Sequence, residues 1–151
     1  MDPDKLQSMV QFIVSKEKNG VPKTKLNKEM FYADFLSYKK HGCSISGLAY
    51  RAIQFGPVPE HYETVYDHVK GLSKDIVVNN DLEYELLCCD SPDTSSLSKE
   101  DIDIINQVMS VLVKMKRAEV VELSHQEYGW LKNKDHHNLI PYDEAYSLKA
   151  F

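Results

Sequence analysis

Residues 24–40, TKLNKEMFYADFLSYKK, decide how the rest of the chain must be arranged. Thr24 is a residue type that caps helices, and His41-Gly42 is a typical helix end, so the stretch predicts one helix over 24–40. Apolar and aromatic side chains fall on nearly every face of this helix between residues 30 and 38. Because such a helix must be covered on several sides, we expect it at the centre of the fold.

Asp34 lies in the middle of this apolar stretch. A carboxylate buried without a partner is costly, so we expect a cation to pair with it. Arg51 is the first candidate, because it lies in the segment that follows the helix. The sequence therefore predicts a structural ion pair between Asp34 and Arg51 that holds the helix against that segment.

Further helices are predicted on both sides of the central one. Asp2-Pro3 starts a helix that runs to about Lys18, and a capping-box pattern at Ser98 starts another. Periodicity leaves open whether this later helix breaks near Lys116-Arg117. Pro59 predicts the start of a helix that closes at Gly71, and residues 142–148 form a short helix candidate.

Alternating side chains from Ser44 to Phe55 predict a strand. The next four residues, Gly56-Pro57-Val58-Pro59, should end it, because two prolines cannot continue a paired ladder. Ile76–Val78 and Leu82–Cys89 are short strand candidates, and the residues between them have good turn chemistry.

The composition is that of a globular protein. The chain has 151 residues, 42% hydrophobic and 27% charged, which excludes disordered and collagen-like chains. Together with the elements above, it predicts an α+β fold: a mainly α-helical single domain over residues 1–151 with a small antiparallel sheet.

Charge is distributed unevenly along the chain. The net charge is −5; residues 1–75 carry 11 basic and 9 acidic side chains, and residues 76–151 carry 7 and 14. The acidic half is either a face for a basic partner or a solvated surface. All but two of the 18 basic residues are lysine, which argues against nucleic acid as a partner. The five lysines between Lys16 and Lys28 are expected to form a solvated edge.

Cysteine usage and the N-terminus predict a cytoplasmic protein. Three cysteines, two of them adjacent, do not suggest a disulfide framework, and no apolar leader or membrane-length run is present. Cys88-Cys89 with His125 and His136-His137 match no standard zinc spacing. We expect no metal and no cofactor.

Enzyme motifs are missing from the sequence. It contains no GxGxxG, P-loop, HExxH or GxSxG pattern. His125 could work with Glu127 and with Cys43 or Ser124, or it could simply hydrogen-bond nearby backbone. Trp130 is either a core side chain beneath the C-terminal tail or an anchor at an interface.

Three motifs in order resemble those of a known family: KLNKEMFYADF at 25–35, SISGLAY at 44–50 and GPVP at 56–59. LSH at 123–125, Trp130 and IPY at 140–142 agree more loosely. The chain thus resembles the SocA-like antitoxin, or Panacea domain, family of bacterial and phage toxin–antitoxin modules. The resemblance is strong over 24–59 and moderate over 98–146.

The resemblance implies a non-enzymatic protein that neutralises a protein toxin encoded by a neighbouring gene. The family's founding member also delivers its toxin to a cytosolic ATP-dependent protease, so such a protease is a second candidate partner. Membrane and nucleic acid are not expected as partners, on the composition and sequence pattern given above. GPVP either presents Val58 and Tyr62 to a partner on a stiff turn or merely ends a strand. The candidate partner-binding residues are Gly56, Pro57, Val58, Pro59, Tyr62, His125 and Trp130.

Three alternatives remain at this stage: a prophage-associated interaction or adaptor module without a toxin partner, a small His125-dependent enzyme, and an operon-binding repressor. Many relatives join the domain to a DNA-binding segment. The domain is expected to fill this chain, so the repressor is the least favoured of the three.

Overall fold

Five α-helices, two 3₁₀ helices and two separate antiparallel hairpins make up the structure, a computed structural model that describes residues 1–151. The α+β prediction is confirmed, with the strands in two small sheets. In chain order the elements are α1 (Pro3–Lys16), α2 (Lys23–His41), β1 (Tyr50–Ile53), β2 (Gly56–Pro59), β3 (Ser73–Asn79), β4 (Leu82–Cys88), α3 (Lys99–Leu112), α4 (Arg117–Ser124), α5 (Tyr128–Asn133) and the 3₁₀ helices Lys134–His136 and Tyr142–Ser147.

Helix α2 lies at the centre of the fold, as its sequence predicts. Every residue from Lys25 to Ser37 is buried, and the helix packs against α1, α3, α4, β2 and β4. Its aromatic side chains build the core with their neighbours: Phe35 stacks on Tyr142 with ring centroids 4.5 Å apart. Covering this helix on all sides is what brings the remaining elements together.

The predicted ion pair between Asp34 and Arg51 is wrong. The Asp34 carboxylate accepts hydrogen bonds from the backbone N–H groups of Ile45 and Ser46, both at 2.9 Å, and from the hydroxyls of Ser46 and Tyr50. Burial raises its pKa, although these hydrogen bonds act in the opposite direction. Asp34 therefore holds the segment that leads into β1.

Arg51 faces away from Asp34 because neighbouring residues of a strand point to opposite sides. Tyr50 turns toward Asp34, so Arg51 turns outward and pairs with Glu60, with Nε and Oε2 2.8 Å apart. A second guanidinium nitrogen donates to the carbonyl of His137. Arg51 thus connects β1 to the C-terminal part of the chain.

The prediction that GPVP ends the ladder is wrong. The segment forms strand β2, which pairs with β1. Ala52 donates its N–H to Asn138 and Tyr50 accepts from Ile140, so the backbone groups of both residues point away from β2. Their partners in the register are Pro57 and Pro59. The proline nitrogens therefore face away from β1, where no ladder hydrogen bond is lost.

The predicted helix from Pro59 to Gly71 is also wrong, because this segment forms a series of turns. His61 has a φ of 59°, a left-handed conformation that interrupts a helix at its start. The turns still bury Tyr66, whose hydroxyl donates to the side chain of Asn27 on α2.

Several local signals are confirmed. Helix α1 begins at Pro3 with Asp2 as its cap, and Ser98 and Asp101 form the predicted capping box of α3. The open question about a break is settled, because α3 and α4 are separate helices. No helix combines the length and the apolar character needed to cross a membrane.

We predict that Asp34→Ala lowers the free energy of unfolding by about 3 kcal/mol or more, because buried donors lose their only acceptor. Urea denaturation measures the change. Arg51→Ala is the matched control, and it should cost far less because the Arg51–Glu60 pair is partly exposed to solvent. Equal losses in the two variants would contradict this assignment.

Candidate partner-binding site

The residues predicted to bind a partner lie around the β1–β2 hairpin. Gln54 and Phe55 form its turn, and the Phe55 side chain is 53% exposed at the tip. Tyr62 follows β2 and is partly exposed. Sequence reasoning missed Phe55, because its alternation pattern assigned that residue to the strand itself.

Strand β2 is a supporting wall and not an exposed surface. All four of its residues are buried, and Val58 is only 2% exposed. Sequence reasoning expected GPVP to present Val58 on a turn, but pairing with β1 and packing on α2 turn that side chain inward. The exposed aromatic groups of this region are therefore Phe55 and Tyr62.

Gly56 sits where no side chain fits. A Cβ at this position would lie 2.5 Å from Cε of Lys28 and 2.7 Å from Oγ of Ser124, and the backbone has a φ of 103°. The absence of a side chain lets the hairpin lie directly on α2 and α4. This close approach fixes the direction in which the hairpin tip points.

Trp130 and His125 lie beneath the hairpin. The indole N–H of Trp130 donates to the carbonyl of Ile53 at 2.7 Å, and the side chain is 8% exposed. Its ring stacks on the imidazole of His125, with centroids 4.2 Å apart. The structure thus brings both residues to the predicted site but places Trp130 in the core, where it supports the hairpin from below.

Two clefts flank the segment from Val58 to Tyr62. The one between the start of α2 and the hairpin has a volume of about 290 Å³, and Lys23, Lys28 and Phe55 are part of its lining. The other, of about 400 Å³, lies beside Arg51 and Glu60. Tyr62 and Glu63 line both clefts. We call Phe55, Tyr62 and these two clefts the hairpin face.

Lys28 is the most unusual residue at this site. The side chain is fully buried, and its Nζ has no hydrogen-bond partner in the protein. Burial lowers its pKa from 10.5 to about 7. The pKa of His125 is also lowered. Burial is the larger cause, and the positive charge of the nearby Lys28 lowers it further.

The predicted lysine edge is therefore only partly solvated. Lys25 is buried as well and pairs with Glu17 at 2.7 Å. The sequence signal for this burial was the position of Lys25 and Lys28 at the start of a helix that is apolar on nearly every face. The elements that cover such a helix on every side also bury the lysines in its first turns.

His125 and Glu127 are not brought together in a catalytic arrangement. The Glu127 carboxylate accepts hydrogen bonds from the Tyr32 hydroxyl at 2.9 Å and from the backbone of Lys149 and Ala150. The Ser124 hydroxyl donates to a backbone carbonyl of its own helix. No group of three or more His, Cys, Asp or Glu side chains is arranged to hold a metal ion.

A family model described as antitoxin SocA-like, Panacea domain, matches residues 26–131. This range begins in α2, ends in α5 and contains both hairpins together with Asp34, Gly56 and Trp130. It covers more than two thirds of the chain. No curated protein and no solved structure matches the sequence.

We predict that Lys28→Met removes a pH dependence of stability. Between pH 7 and about 10 the unfolded chain holds a proton on Lys28 that the folded chain has lost, so Lys28 makes a contribution to the free energy of unfolding that rises with pH. The slope is up to about 1.4 kcal/mol per pH unit for one proton. Urea denaturation of both proteins from pH 7 to about 9 measures the slope and keeps tyrosine ionisation in the unfolded chain small.

The matched control is Lys18→Met, which removes an exposed lysine from the same stretch. We expect the parent and the Lys18 variant to show the same slope, and Lys28→Met to be the more stable protein at pH 7. A parallel slope in Lys28→Met would show that the Lys28 ammonium is not buried without a partner.

Proposed function

Because the chain belongs to the SocA-like antitoxin family with a Panacea domain, we propose that it neutralises a protein toxin by binding it directly through the hairpin face. The observation that carries this proposal is the exposed side chain of Phe55 at the tip of a hairpin whose second strand is buried along its whole length. Aromatic side chains of this kind are enriched at the energetic centres of protein interfaces.

The hairpin is held from three directions, which favours tight binding. The indole N–H of Trp130 donates to the carbonyl of Ile53, and Gly56 lies directly on α2 and α4. Residues 138–140 pair with the outer edge of β1. A surface that is already ordered loses little conformational entropy when a partner binds. The tip can therefore present Phe55 in one orientation.

The two clefts suit side chains from a protein partner better than a small ligand. Both are open to solvent and share Tyr62 as a common wall. Lys23 and Glu63 stand at the rim of the smaller cleft and offer one charge of each sign. Such a surface has an aromatic centre with a polar rim, as stable protein interfaces do.

Neutralisation by direct blocking and neutralisation by delivery to a protease differ in a measurable way. A blocker protects cells at constant toxin level and needs no protease. An adaptor lowers the toxin level and fails in cells that lack cytosolic ATP-dependent proteases. We favour blocking, because a fixed face that presents an exposed aromatic anchor is sufficient to cover a toxin surface.

The test is co-expression with the protein encoded by the adjacent gene, together with the affinity of the purified pair. We expect the parent chain to protect cells from that protein. The double variant Phe55→Ala, Tyr62→Ala should lose protection and bind about tenfold more weakly or worse, because it loses both aromatic groups.

Tyr146→Ala is the control, since Tyr146 is a well-exposed aromatic residue outside both clefts. It should protect as the parent does. A neighbouring protein that is harmless alone, or that kills equally with the parent present, would contradict the antitoxin function. Full protection by a correctly folded double variant would contradict the choice of face.

A further inference from the structure

The β3–β4 hairpin, residues 73–88, is held much more loosely than the β1–β2 hairpin, and we call it the arm. Outside its own ladder, its only strand pairing is between Leu87 near its base and Val21. Three apolar side chains are strongly exposed along it: Ile76 at 69%, Val78 at 63% and Leu82 at 70%. Ile76 and Val78 lie side by side on one face, and adjoining exposed apolar groups commonly mark a contact surface.

The hydrogen bonds at the base of the arm show which backbone groups are free. Leu87 exchanges both of its backbone hydrogen bonds with Val21, at 2.8 and 2.9 Å, so these groups point away from β3. Lys74 is the partner of Leu87 in the register and therefore occupies a pair without ladder hydrogen bonds. Alternation then directs the N–H and C=O groups of Lys74, Ile76 and Val78 to the open side of β3.

This open edge has the properties of a strand-pairing site. Natural proteins protect such edges with prolines, bulges or central lysines. Strand β3 has none of these over Ile76-Val77-Val78, and its three β-branched residues favour an extended backbone. An extended segment laid beside it would find free donors and acceptors at alternate positions.

Charge on the arm selects the kind of segment. Between residues 73 and 88 it carries Lys74 and four acidic side chains, Asp75, Asp81, Glu83 and Glu85. Glu85 and Glu83 lie directly opposite Ile76 and Val78 in the register and thus share their face. Lys74 Nζ lies 3.8 Å from the Glu85 carboxylate, so Glu83 carries the unpaired negative charge of this face. A basic segment is attracted to it, whereas a second copy of the arm would bring like charges together.

We propose that the outer edge of β3 binds an extended, basic segment of the toxin as a third strand of the arm. The identity of the partner rests on the proposed function, but the strand-pairing edge does not. Apolar side chains of the segment would contact Ile76 and Val78, and a lysine or arginine side chain would reach Glu83. The arm would thus add a second contact to the hairpin face.

Hydrogen exchange measured by NMR tests this proposal on the parent chain, with and without the adjacent-gene protein. We expect the amides of Lys74, Ile76 and Val78 to become at least about tenfold better protected in the complex. Those of Asp75 and Val77 already bond to β4 and should change less. Unchanged exchange at all three outward amides in a formed complex would overturn the proposal.

Ile76→Pro provides a second test, because it removes an outward N–H and leaves the β3–β4 ladder intact. Ile76→Thr is matched to it, since it also shortens the apolar side chain but keeps the N–H. We expect the proline variant to bind the adjacent-gene protein at least about tenfold more weakly than the threonine variant. Equal binding by two correctly folded variants would overturn the proposal.

Two further outcomes are distinguishable. If the parent chain does not bind the adjacent-gene protein at all, the proposed function itself fails. If the free chain dimerises in a concentration-dependent way that Ile76→Pro abolishes, the edge pairs with a second copy, and the choice of a basic toxin segment is wrong.

Discussion

The carboxylate of Asp34 accepts hydrogen bonds from Ile45, Ser46 and Tyr50 inside the most deeply buried helix of the protein. The segment from residue 42 to residue 49 has no regular secondary structure, and these bonds fix the middle of its path. Its ends are held by hydrogen bonds from Ser37 to Cys43, from Tyr142 to Leu48 and from Glu60 to Ala49. Because β1 begins at Tyr50, the position of the first hairpin follows from the same interaction. The hydrogen bonds to one buried acceptor thus set the start of the hairpin that presents the exposed Phe55.

The two hairpins of the fold differ in how they are held. The β1–β2 hairpin lies on α2 and α4, pairs with the C-terminal tail and exposes little beyond its tip. The arm extends from Leu87 with both faces largely uncovered and one strand edge open. A rigid aromatic anchor and an edge able to take a strand are complementary ways to bind a protein. Neither requires a catalytic group, which suits membership of an antitoxin family.

Local patterns predicted the elements whose signals are local: α1 with its Asp2 cap, the all-round apolar α2, and the turn of the arm. The predictions were wrong where a tertiary contact determines the local structure or the burial of a residue. The turns after β2 depend on the left-handed backbone of His61, and the burial of Lys28 depends on two helices and a hairpin meeting above it. The Asp34–Arg51 pair does not form because Tyr50 faces Asp34, and neighbouring residues of one strand cannot both do so. Alternation alone leaves open which of the two residues faces α2.

Native-state hydrogen exchange at the Ile45 and Ser46 amides tests the role of Asp34 most directly, because the Asp34 carboxylate accepts hydrogen bonds from these two N–H groups. The account predicts that both amides exchange only through global unfolding, with the same free energy of opening as the amides in the middle of α2. Exchange through a local opening, with a clearly smaller free energy while α2 stays protected, would contradict it.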